Sequence, residues 1–256
     1  MSSISAVLFD FHNTLVTCDA WLDLEINTLP SLALDIMRAE GDLGHLPPHD
    51  SADARTRFRA LRARARESGV EVSAVEGVRL VLAEMGYRPR MDSIEAAVAE
   101  LEQNCLLEVE PVPGAVPTLQ RLHDAGYTLG VVSSAGWPPF VEMALEAEGM
   151  RPFFSAVITS AGEGIYKSNP EIFRRACARL GVTPGETVHV GDHARYDVQT
   201  ARAAGLRTVW FNAHARRTAL IHNADWDELE RQGKKADAVV TRLSEIPRVI
   251  KKLAGT

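Results

Sequence analysis

Short apolar segments, each ending in polar residues, recur along the chain and alternate with stretches of helical pattern. We predict strands at residues 5–10, 127–134, 155–160, 186–192, 206–212 and 236–241. Continuous apolar character over so few residues is typical of strands that are covered on both faces, as in a parallel sheet. Several helical stretches end at a glycine, which is a stop signal for a helix: Gly126, Gly181 and Gly205. This alternation predicts an open α/β sheet with helices on both faces.

The segment from residue 17 to 109 has a different pattern, because it is helix-like nearly throughout. We predict its helices at roughly 19–40, 51–68, 72–86 and 92–108. The prolines of the following stretch, EVEPVPG, indicate a stiff linker that leads back to the sheet. The pattern therefore predicts a helical insert directly after the first strand. Residues 1–16 and 110–256 would form the α/β core, and residues 17–109 would form a second, all-helical unit.

Composition narrows the class of protein. With 256 residues, 46% of them hydrophobic, the chain can bury one core and a smaller second one. No apolar run approaches the roughly 20 residues that span a membrane, and no signal-peptide pattern is found, so we expect a cytoplasmic protein. The net charge of -6 argues against general binding to nucleic acid. Cys18, Cys105 and Cys177 are not spaced like zinc ligands, and we expect reduced, mostly buried thiols.

Four local patterns place reactive side chains at or near the ends of predicted strands. They are FDFHNTL with Asp10, VVSS with Ser133, YKSNPEIF with Lys167, and VGDHARYD with Asp192 and Asp197. Ligands of open α/β sheets bind beyond the carboxyl ends of the strands, so these side chains are expected to share one cleft. Clustered carboxylates repel one another unless a cation neutralises them. A hard divalent cation with oxygen ligands, most simply Mg²⁺, is the natural partner.

In this order, the four patterns resemble the motifs of the haloacid dehalogenase-like (HAD) hydrolase superfamily. DFHNT at 10–14 is similar to the first motif, GVVSS to the second, and KSNP at 167–170 to the third. VGDHARYD and the following ARAAGLRTVWFN are similar to the fourth motif of phosphoglycolate phosphatase-like members. The resemblance covers nearly the whole chain. It implies a Rossmann-like core, with a helical cap domain in the place of residues 17–109.

The activity implied by the resemblance is that of a phosphatase acting on a small phosphorylated metabolite through an aspartyl-phosphate. Asp10 would attack phosphorus, and Lys167 would hold the phosphate oxygens and offset the charge of the nucleophile. Ser133, Ser134 and nearby backbone amides would donate hydrogen bonds to the phosphate. Thr14 would orient the loop and contact the substrate. No membrane or nucleic-acid partner is expected, and both a monomer and a homodimer are compatible with the sequence.

The resemblance also implies a Mg²⁺ site. Asp10, Asp192 and the backbone carbonyl of His12 would be ligands. Asp197 would be a further metal ligand, or it would position Lys167 without ligating the metal itself. Because the ligand from residue 12 is a backbone carbonyl, the histidine side chain leaves this metal site intact.

Two residues of the first motif depart from the family pattern. Asn13 replaces the usual glycine, and asparagine is among the residues that best tolerate a positive φ. His12 replaces the aspartate that protonates the leaving group and then activates water in family phosphatases. Three interpretations of His12 are open: a replacement acid/base, a steric or substrate contact in a related reaction, and simple packing in a site that has lost efficient turnover.

Two alternative functions also remain open. The dehalogenase branch of the superfamily lacks Asp at this second position, so a metal-independent 2-haloacid dehalogenase is one rival. That branch typically lacks the Gly-Asp of the fourth motif, whereas Gly191-Asp192 and Asp197 are present here, which favours metal-dependent phosphate chemistry. The other rival is a catalytically weakened HAD-fold protein with a binding or regulatory role.

Several further side chains have both a structural and a functional interpretation. A stripe of arginines at 55, 59, 62 and 66 is typical of a solvated helix face, or one or two of them could reach the cleft and bind a substrate carboxylate or second phosphate. We favour core packing over a substrate-lining role for the apolar residues at 21, 22, 24 and 26. His189 is expected to be buried with a hydrogen bond, and His193 is a candidate for the cleft. The polar segment 214–240 predicts an exposed helix or an oligomer contact.

Overall fold

The computed structural model describes residues 3–41, 51–214 and 225–255. Within them the strands are β1 (Ala6–Phe9), β2 (Val16–Thr17), β3 (Glu110–Pro111), β4 (Thr128–Ser133), β5 (Phe154–Thr159), β6 (Thr187–Gly191), β7 (Arg207–Phe211) and β8 (Ala238–Val240). Six of them form one sheet in the order β5-β4-β1-β6-β7-β8, and all of its pairs are parallel. The six strands predicted from the sequence and the α/β fold class are confirmed.

The described helices lie on both sides of this sheet and in the insert. They are α1 (Asp19–Asp23), α2 (Leu29–Ala39), α3 (Ser51–Ser68), α4 (Ala74–Glu84), α5 (Met91–Cys105), α6 (Ala115–Asp124), α7 (Pro138–Ala147), α8 (Ser160–Glu163), α9 (Glu171–Arg179), α10 (Ala201–Ala203), α11 (Trp226–Gly233) and α12 (Ile246–Ala254). Short 3₁₀ turns cover Leu106–Glu108, Arg151–Phe153, Pro184–Glu186 and Leu243–Glu245. None of the helices in the described ranges is long and apolar enough to cross a membrane.

β1 is one of the two central strands of the sheet, and all four of its residues are fully buried. Ala6 pairs with Thr128 of β4 on one side and with Thr187 of β6 on the other. Because the three strands run in the same direction, their carboxyl ends lie side by side at one edge of the sheet. Asp10 directly follows β1 at this edge.

The chain enters and leaves the helical insert through two adjacent segments. The short strands β2 and β3 pair in an antiparallel ribbon, with Val16 opposite Pro111 and Thr17 opposite Glu110. The proline-rich linker predicted from the sequence therefore does more than connect, since it pairs with the segment that leads into the insert. The three cysteines are free and buried, as predicted.

The insert also hydrogen-bonds to the sheet loops through the connection between α3 and α4. The Glu71 N–H donates to the Gly164 carbonyl at 3.2 Å, and the Tyr166 N–H donates to the Gly69 carbonyl at 3.0 Å. The Ala74 N–H donates to the carbonyl of Gly136, in the loop after β4, at 2.8 Å. Backbone hydrogen bonds thus tie the insert to two loops of the sheet.

Two predicted helices contain a wider π-helical segment. The predicted helix at 19–40 consists of α1, a π segment at Leu24–Thr28, and α2. The helix after β6 starts with a π segment at Ala194–Thr200 and continues as α10. Such segments are frequent at functional sites, because the wider turn shifts side chains relative to a regular helix. In the predicted exposed segment 214–240, α11 forms a helix, and residues 215–224 lie outside the described residues.

Candidate active site

Asp10 directly follows β1 and makes contacts on both oxygens of its carboxyl group. Its backbone N–H still pairs with the sheet, donating to the Val190 carbonyl at 2.8 Å. The Thr14 hydroxyl donates to Asp10 Oδ2 at 3.1 Å, and Lys167 Nζ lies 2.5 Å from Oδ1. Burial raises the pKa of Asp10 to about 6, although the charge of Lys167 acts in the opposite direction. The strand thus presents a nearly buried carboxyl group against a lysine.

Lys167 bridges Asp10 and Asp197, since Nζ is also 2.5 Å from Asp197 Oδ1. The side chain of Lys167 is almost completely buried. Burial lowers the pKa of Lys167, but the two carboxylates outweigh this effect and raise it above its usual value. Lys167 is therefore a charged group held between two acids.

Asp197 is fixed by three donors. Lys167 and His189 Nε2, at 2.9 Å, both contact Oδ1, while the backbone N–H of His193 donates to Oδ2 at 2.7 Å. Burial would raise the pKa of Asp197, but Lys167 and His189 hold it well below its usual range. Burial lowers the pKa of His189 to about 4, so this ring is neutral near pH 7. The prediction of a buried, hydrogen-bonded His189 is confirmed.

Three carboxylates converge at this edge of the sheet. One oxygen from each of Asp10, Asp192 and Asp197 lies within 4.8 Å of the others. Trp210 fixes the backbone of Asp192, because Trp210 Nε1 donates a hydrogen bond to the Asp192 carbonyl at 2.8 Å. A Cβ on Gly191 would lie 2.2 Å from Asp197 Cγ, so only glycine fits directly before Asp192. This cluster of hard oxygen donors fits a divalent cation such as Mg²⁺.

The first-motif loop holds the two unusual residues. Asn13 adopts a φ of 62°, so the asparagine takes the left-handed conformation expected at this turn. The His12 ring is half-buried and packs against Trp21, with 5.5 Å between ring centroids. His12 Nε2 lies 3.1 Å from the Cys18 carbonyl oxygen and 3.2 Å from the Cys18 nitrogen. The backbone of Cys18 therefore offers both an acceptor and a donor to the same ring nitrogen.

One pocket brings most of the predicted site residues together. Of these, its lining includes Asp10, His12, Ser133, Ser134, Lys167, Asp192 and Asp197. The hydroxyl of Ser134 is buried and has no hydrogen-bond partner among the described residues. Thr14 is fully buried and is not among the residues that line the pocket. Its hydroxyl contacts Asp10.

Other lining residues were not assigned to the site from the sequence. They come mainly from the insert and from the loops beside the third and fourth motifs: Glu25, Tyr166 and Tyr196. His193, a candidate in the sequence, also lines the pocket. A single glutamate within the apolar run WLDLEINTL was the available signal for Glu25, since burial of an acid requires partners. Nothing local marked the two tyrosines.

The members of the arginine stripe divide between a solvated helix face and the pocket. Arg55 and Arg59 are exposed, as in a solvated helix face, whereas Arg62 and Arg66 line the pocket. The apolar residues at the start of the insert divide in the same way. Core packing was favoured for all four, and Trp21 and Leu24 are buried in the core, whereas Trp21 also lines the pocket together with Leu22 and Ile26. Core packing is therefore confirmed for Trp21 and Leu24, and the structure adds a pocket-lining position for Trp21, Leu22 and Ile26.

Buried charges of the insert lie against the pocket. Arg62 Nη1 donates to Glu71 Oε1 at 2.6 Å, and Nη2 is 3.5 Å from Glu25 Oε2. The other oxygen of Glu25 accepts the backbone N–H of Gly136 at 2.9 Å. Burial raises the pKa of Glu25, and the charge of Arg62 opposes this effect. A carboxylate of the insert thus hydrogen-bonds the loop that follows Ser133 and Ser134.

Comparison with known proteins agrees with this fold. The family model for haloacid dehalogenase-like hydrolases matches residues 4–205, and a second model, for HAD-hydrolase-like proteins, matches residues 165–246. The match covers most of the chain and contains all four motifs. The protein belongs to the haloacid dehalogenase-like hydrolase family.

Proteins named for different activities are similar to this chain. The chain is 35% identical to a glyceraldehyde 3-phosphate phosphatase from Methanopyrus kandleri, over 51% of this chain and 55% of that protein. It matches the structure of a HAD phosphatase from Thermococcus onnurineus at 25% identity and a TM-score of 0.63, over 96% and 98% of the two chains. A 2-haloacid dehalogenase from Pseudomonas syringae pv. Tomato DC3000 shares the fold at 24% identity and a TM-score of 0.64, over 98% and 99%.

Proposed function

We propose that the protein is a Mg²⁺-dependent phosphatase that hydrolyses a small phosphomonoester through an aspartyl-phosphate on Asp10. The observation that carries the proposal is the placement of Asp10 between Thr14 and Lys167, within 4.8 Å of two further carboxylates. Relatives that are phosphatases support the reaction class. Since the first of these relatives is matched over only 55% of its length, its substrate is not carried over to this chain.

In the first half of the reaction, a carboxylate oxygen of Asp10 attacks phosphorus. The bond between phosphorus and the ester oxygen breaks, and the leaving group takes a proton from His12. Lys167 stabilises the charge on the transferring phosphoryl oxygens. In the second half, a water molecule gives a proton to His12 and attacks phosphorus, which releases inorganic phosphate and restores the carboxylate of Asp10.

The hydroxyls beside Asp10 have separate roles in this proposal. Thr14 holds Oδ2 of Asp10 and thereby orients the nucleophile. Ser133 and Ser134 donate to the phosphoryl oxygens. The buried Ser134 hydroxyl supports this role, because an unsatisfied buried donor costs free energy until a ligand provides an acceptor. Ser133 lies at the end of β4 and lines the same pocket.

For the metal, we propose Asp10, Asp192 and the backbone carbonyl of His12 as protein ligands. The three donors on Asp197 support a positioning role toward Lys167 over direct ligation, since they occupy most of its lone pairs. When bound, Mg²⁺ supplies positive charge that offsets the charge on the phosphoryl oxygens.

We also propose that residues 17–109 act as a helical cap over the core formed by residues 1–16 and 110–256. The antiparallel ribbon of β2 and β3, where the chain enters and leaves the insert, supports this division. Trp21, Leu22 and Ile26 from the insert line the pocket opposite the strand ends. The substrate is accordingly a small phosphorylated metabolite.

Steady-state hydrolysis of p-nitrophenyl phosphate and of phosphorylated metabolites tests the proposal. We expect turnover with Mg²⁺, loss of turnover with excess chelator, and recovery when Mg²⁺ is restored. Replacing the nucleophile, Asp10→Asn, should lower kcat at least about 10³-fold. The matched control Asp124→Asn changes an exposed aspartate at the end of α6 and should behave as the unchanged protein. Metal-independent hydrolysis, or an active Asp10→Asn variant, contradicts the proposal.

A metal-independent 2-haloacid dehalogenase is the second candidate, because His12 replaces the acidic residue of the phosphatase motif. Halide release from a 2-haloacid in the presence of chelator would establish this activity. The carboxylates of Asp192 and Asp197 beside Asp10 favour the phosphatase, since a cluster of acids benefits from a cation. In the same assay we expect no halide release.

A further inference from the structure

Three cationic side chains of the described residues line the pocket, and two of them already have anionic partners. Lys167 lies between Asp10 and Asp197. Arg62 is almost completely buried and is paired with Glu71 and Glu25. Neither cation can bind a distant part of a substrate without giving up a buried ion pair, which is costly.

Arg66 is the third cation, and it lies one helical turn beyond Arg62 on α3. Residues four apart lie on the same face of a helix, so both guanidinium groups can face the pocket. Within the described part of the chain, Arg66 makes no hydrogen bond and no ion pair. Its side chain is half-buried, so part of its hydration is lost without a compensating partner.

The neighbours of Arg66 place it at the wall formed by two tyrosines. Burial raises the pKa of Tyr166 and that of Tyr196, and in both cases the positive charge of Arg66 acts in the opposite direction. The two rings contact each other edge to face, with 5.8 Å between centroids. Tyr166 directly precedes Lys167, so the wall that carries Arg66 adjoins the proposed phosphoryl site.

We propose that Arg66 selects phosphomonoesters whose leaving group carries a second anionic group, a carboxylate or another phosphate. The inference rests on the proposed phosphatase function and names its substrate class. The phosphoryl group lies at Asp10 and Lys167, and the carbon skeleton packs against Leu22 and Ile26. The guanidinium of Arg66 then binds the second anion through charge-assisted hydrogen bonds. Its planar group can donate two parallel hydrogen bonds to one carboxylate or phosphate.

Matched substrate pairs test this inference. 3-Phosphoglycerate and glycerol 3-phosphate share a three-carbon skeleton and differ in a carboxylate against a neutral hydroxymethyl group. Fructose 1,6-bisphosphate and fructose 6-phosphate differ in a second phosphate. We expect kcat/KM to be about 10- to 100-fold higher for the anionic member of at least one pair, the range for a charge-assisted hydrogen bond. The pair that shows the preference identifies the anion.

Variants assign the preference to the side chain. Arg66→Gln should reduce the ratio of kcat/KM within that pair about 10-fold or more, mainly through KM. Arg66→Lys should keep part of the ratio, because the positive charge remains but the two parallel hydrogen bonds of the guanidinium are lost. The matched control is Arg64→Gln, on the exposed side of the same helix, which should keep the whole ratio.

The outcomes separate this inference from the proposed function. If no phosphomonoester is hydrolysed with Mg²⁺, the proposed function fails. If phosphomonoesters are hydrolysed but neither pair shows a preference, or the ratio persists in Arg66→Gln, the inference alone is overturned. Circular dichroism and thermal unfolding check that each variant is folded, and Arg66→Lys tests the inference if Arg66→Gln does not fold.

Discussion

At the scale of single residues, the site depends on charges that hold one another in place. Burial raises the pKa of Asp10 to about 6, and Lys167 counters this shift from 2.5 Å away. Lys167 is itself held by Asp197, whose carboxylate is fixed by His189 and by a backbone N–H. The nucleophile is therefore positioned by side chains from three separate segments, and its environment favours a bound cation.

His12 is the residue where this site departs most from its family, and its proposed role is proton transfer. We predict that His12→Ala lowers kcat about 10²- to 10⁴-fold with a smaller change in KM, because the acid/base is lost. His12→Asp should restore turnover, since a carboxyl group can transfer the same protons. Steady-state kinetics on the best phosphomonoester measures both variants.

The control for this pair is His123→Ala, which removes an exposed histidine at the end of α6. Unchanged turnover in His12→Ala would show that the acid/base role is wrong. A large gain in His12→Asp over the natural protein would instead identify a weakened catalyst. The contacts of Nε2 with the Cys18 backbone are compatible with gain and loss of a proton, because a donor and an acceptor are both present.

At the scale of elements, the insert and the loop after β4 meet closely at Gly136. Glu25 accepts the Gly136 N–H, and the Ala74 N–H donates to the Gly136 carbonyl. A Cβ on Gly136 would lie 3.2 Å from the Ala74 nitrogen and 3.2 Å from both oxygens of Glu25. Both partners are part of the insert, so this contact fixes the distance between the insert and the strand end that carries Ser133.

We therefore predict that Gly136→Ala lowers the free energy of unfolding by about 1 to 3 kcal/mol, because a crowded contact must expand. The expansion should also lower kcat, since Ser133 and Ser134 lie just before this loop. Gly185→Ala is the matched control, because a Cβ there meets nothing within 4 Å. It should be neutral or slightly stabilising. Denaturant unfolding compares the two, and equal stabilities would contradict the prediction.

At the scale of the whole molecule, stability should depend on pH through Glu102. This glutamate of α5 is fully buried and accepts the Trp21 Nε1–H at 2.9 Å. Burial, followed by the charge of Glu25, raises the pKa of Glu102 to about 9, against about 4.3 for an unfolded chain. Between these values the folded protein binds the additional proton, so its stability falls as pH rises.

We predict that Glu102→Gln removes this dependence while retaining an acceptor for Trp21. Between pH 5 and pH 9 the unfolding free energy of the natural protein should fall relative to the variant, by up to about 1.4 kcal/mol per pH unit. Denaturant unfolding across this range measures the difference. Glu100→Gln, which changes an exposed glutamate of the same helix, should run parallel to the natural protein. A constant difference between Glu102→Gln and the natural protein would contradict the pKa shift.

The main architecture could be predicted from the sequence because its signals are local. Strand length, apolar runs and the glycines that stop helices lie within a few residues of one another, and all six sheet strands were predicted. The two π segments and the ribbon of β2 and β3 were not predicted. A π segment differs from an α-helix only in that its hydrogen bonds join residues five apart instead of four, so its sequence has no distinct local pattern. The ribbon pairs residues almost a hundred positions apart, so it has no local pattern either.

By itself, the sequence determined that reactive side chains follow the strands of a parallel sheet, and hence that Asp10, Ser133 and Asp192 share one edge. Tertiary structure alone decided what surrounds them. The hydroxyl of Thr14 contacts Asp10, and Thr14 does not line the pocket, whereas Glu25 and Arg66 do. The physical reason is that strand direction orders the first group, whereas packing between distant helices and loops selects which faces of the insert meet the sheet.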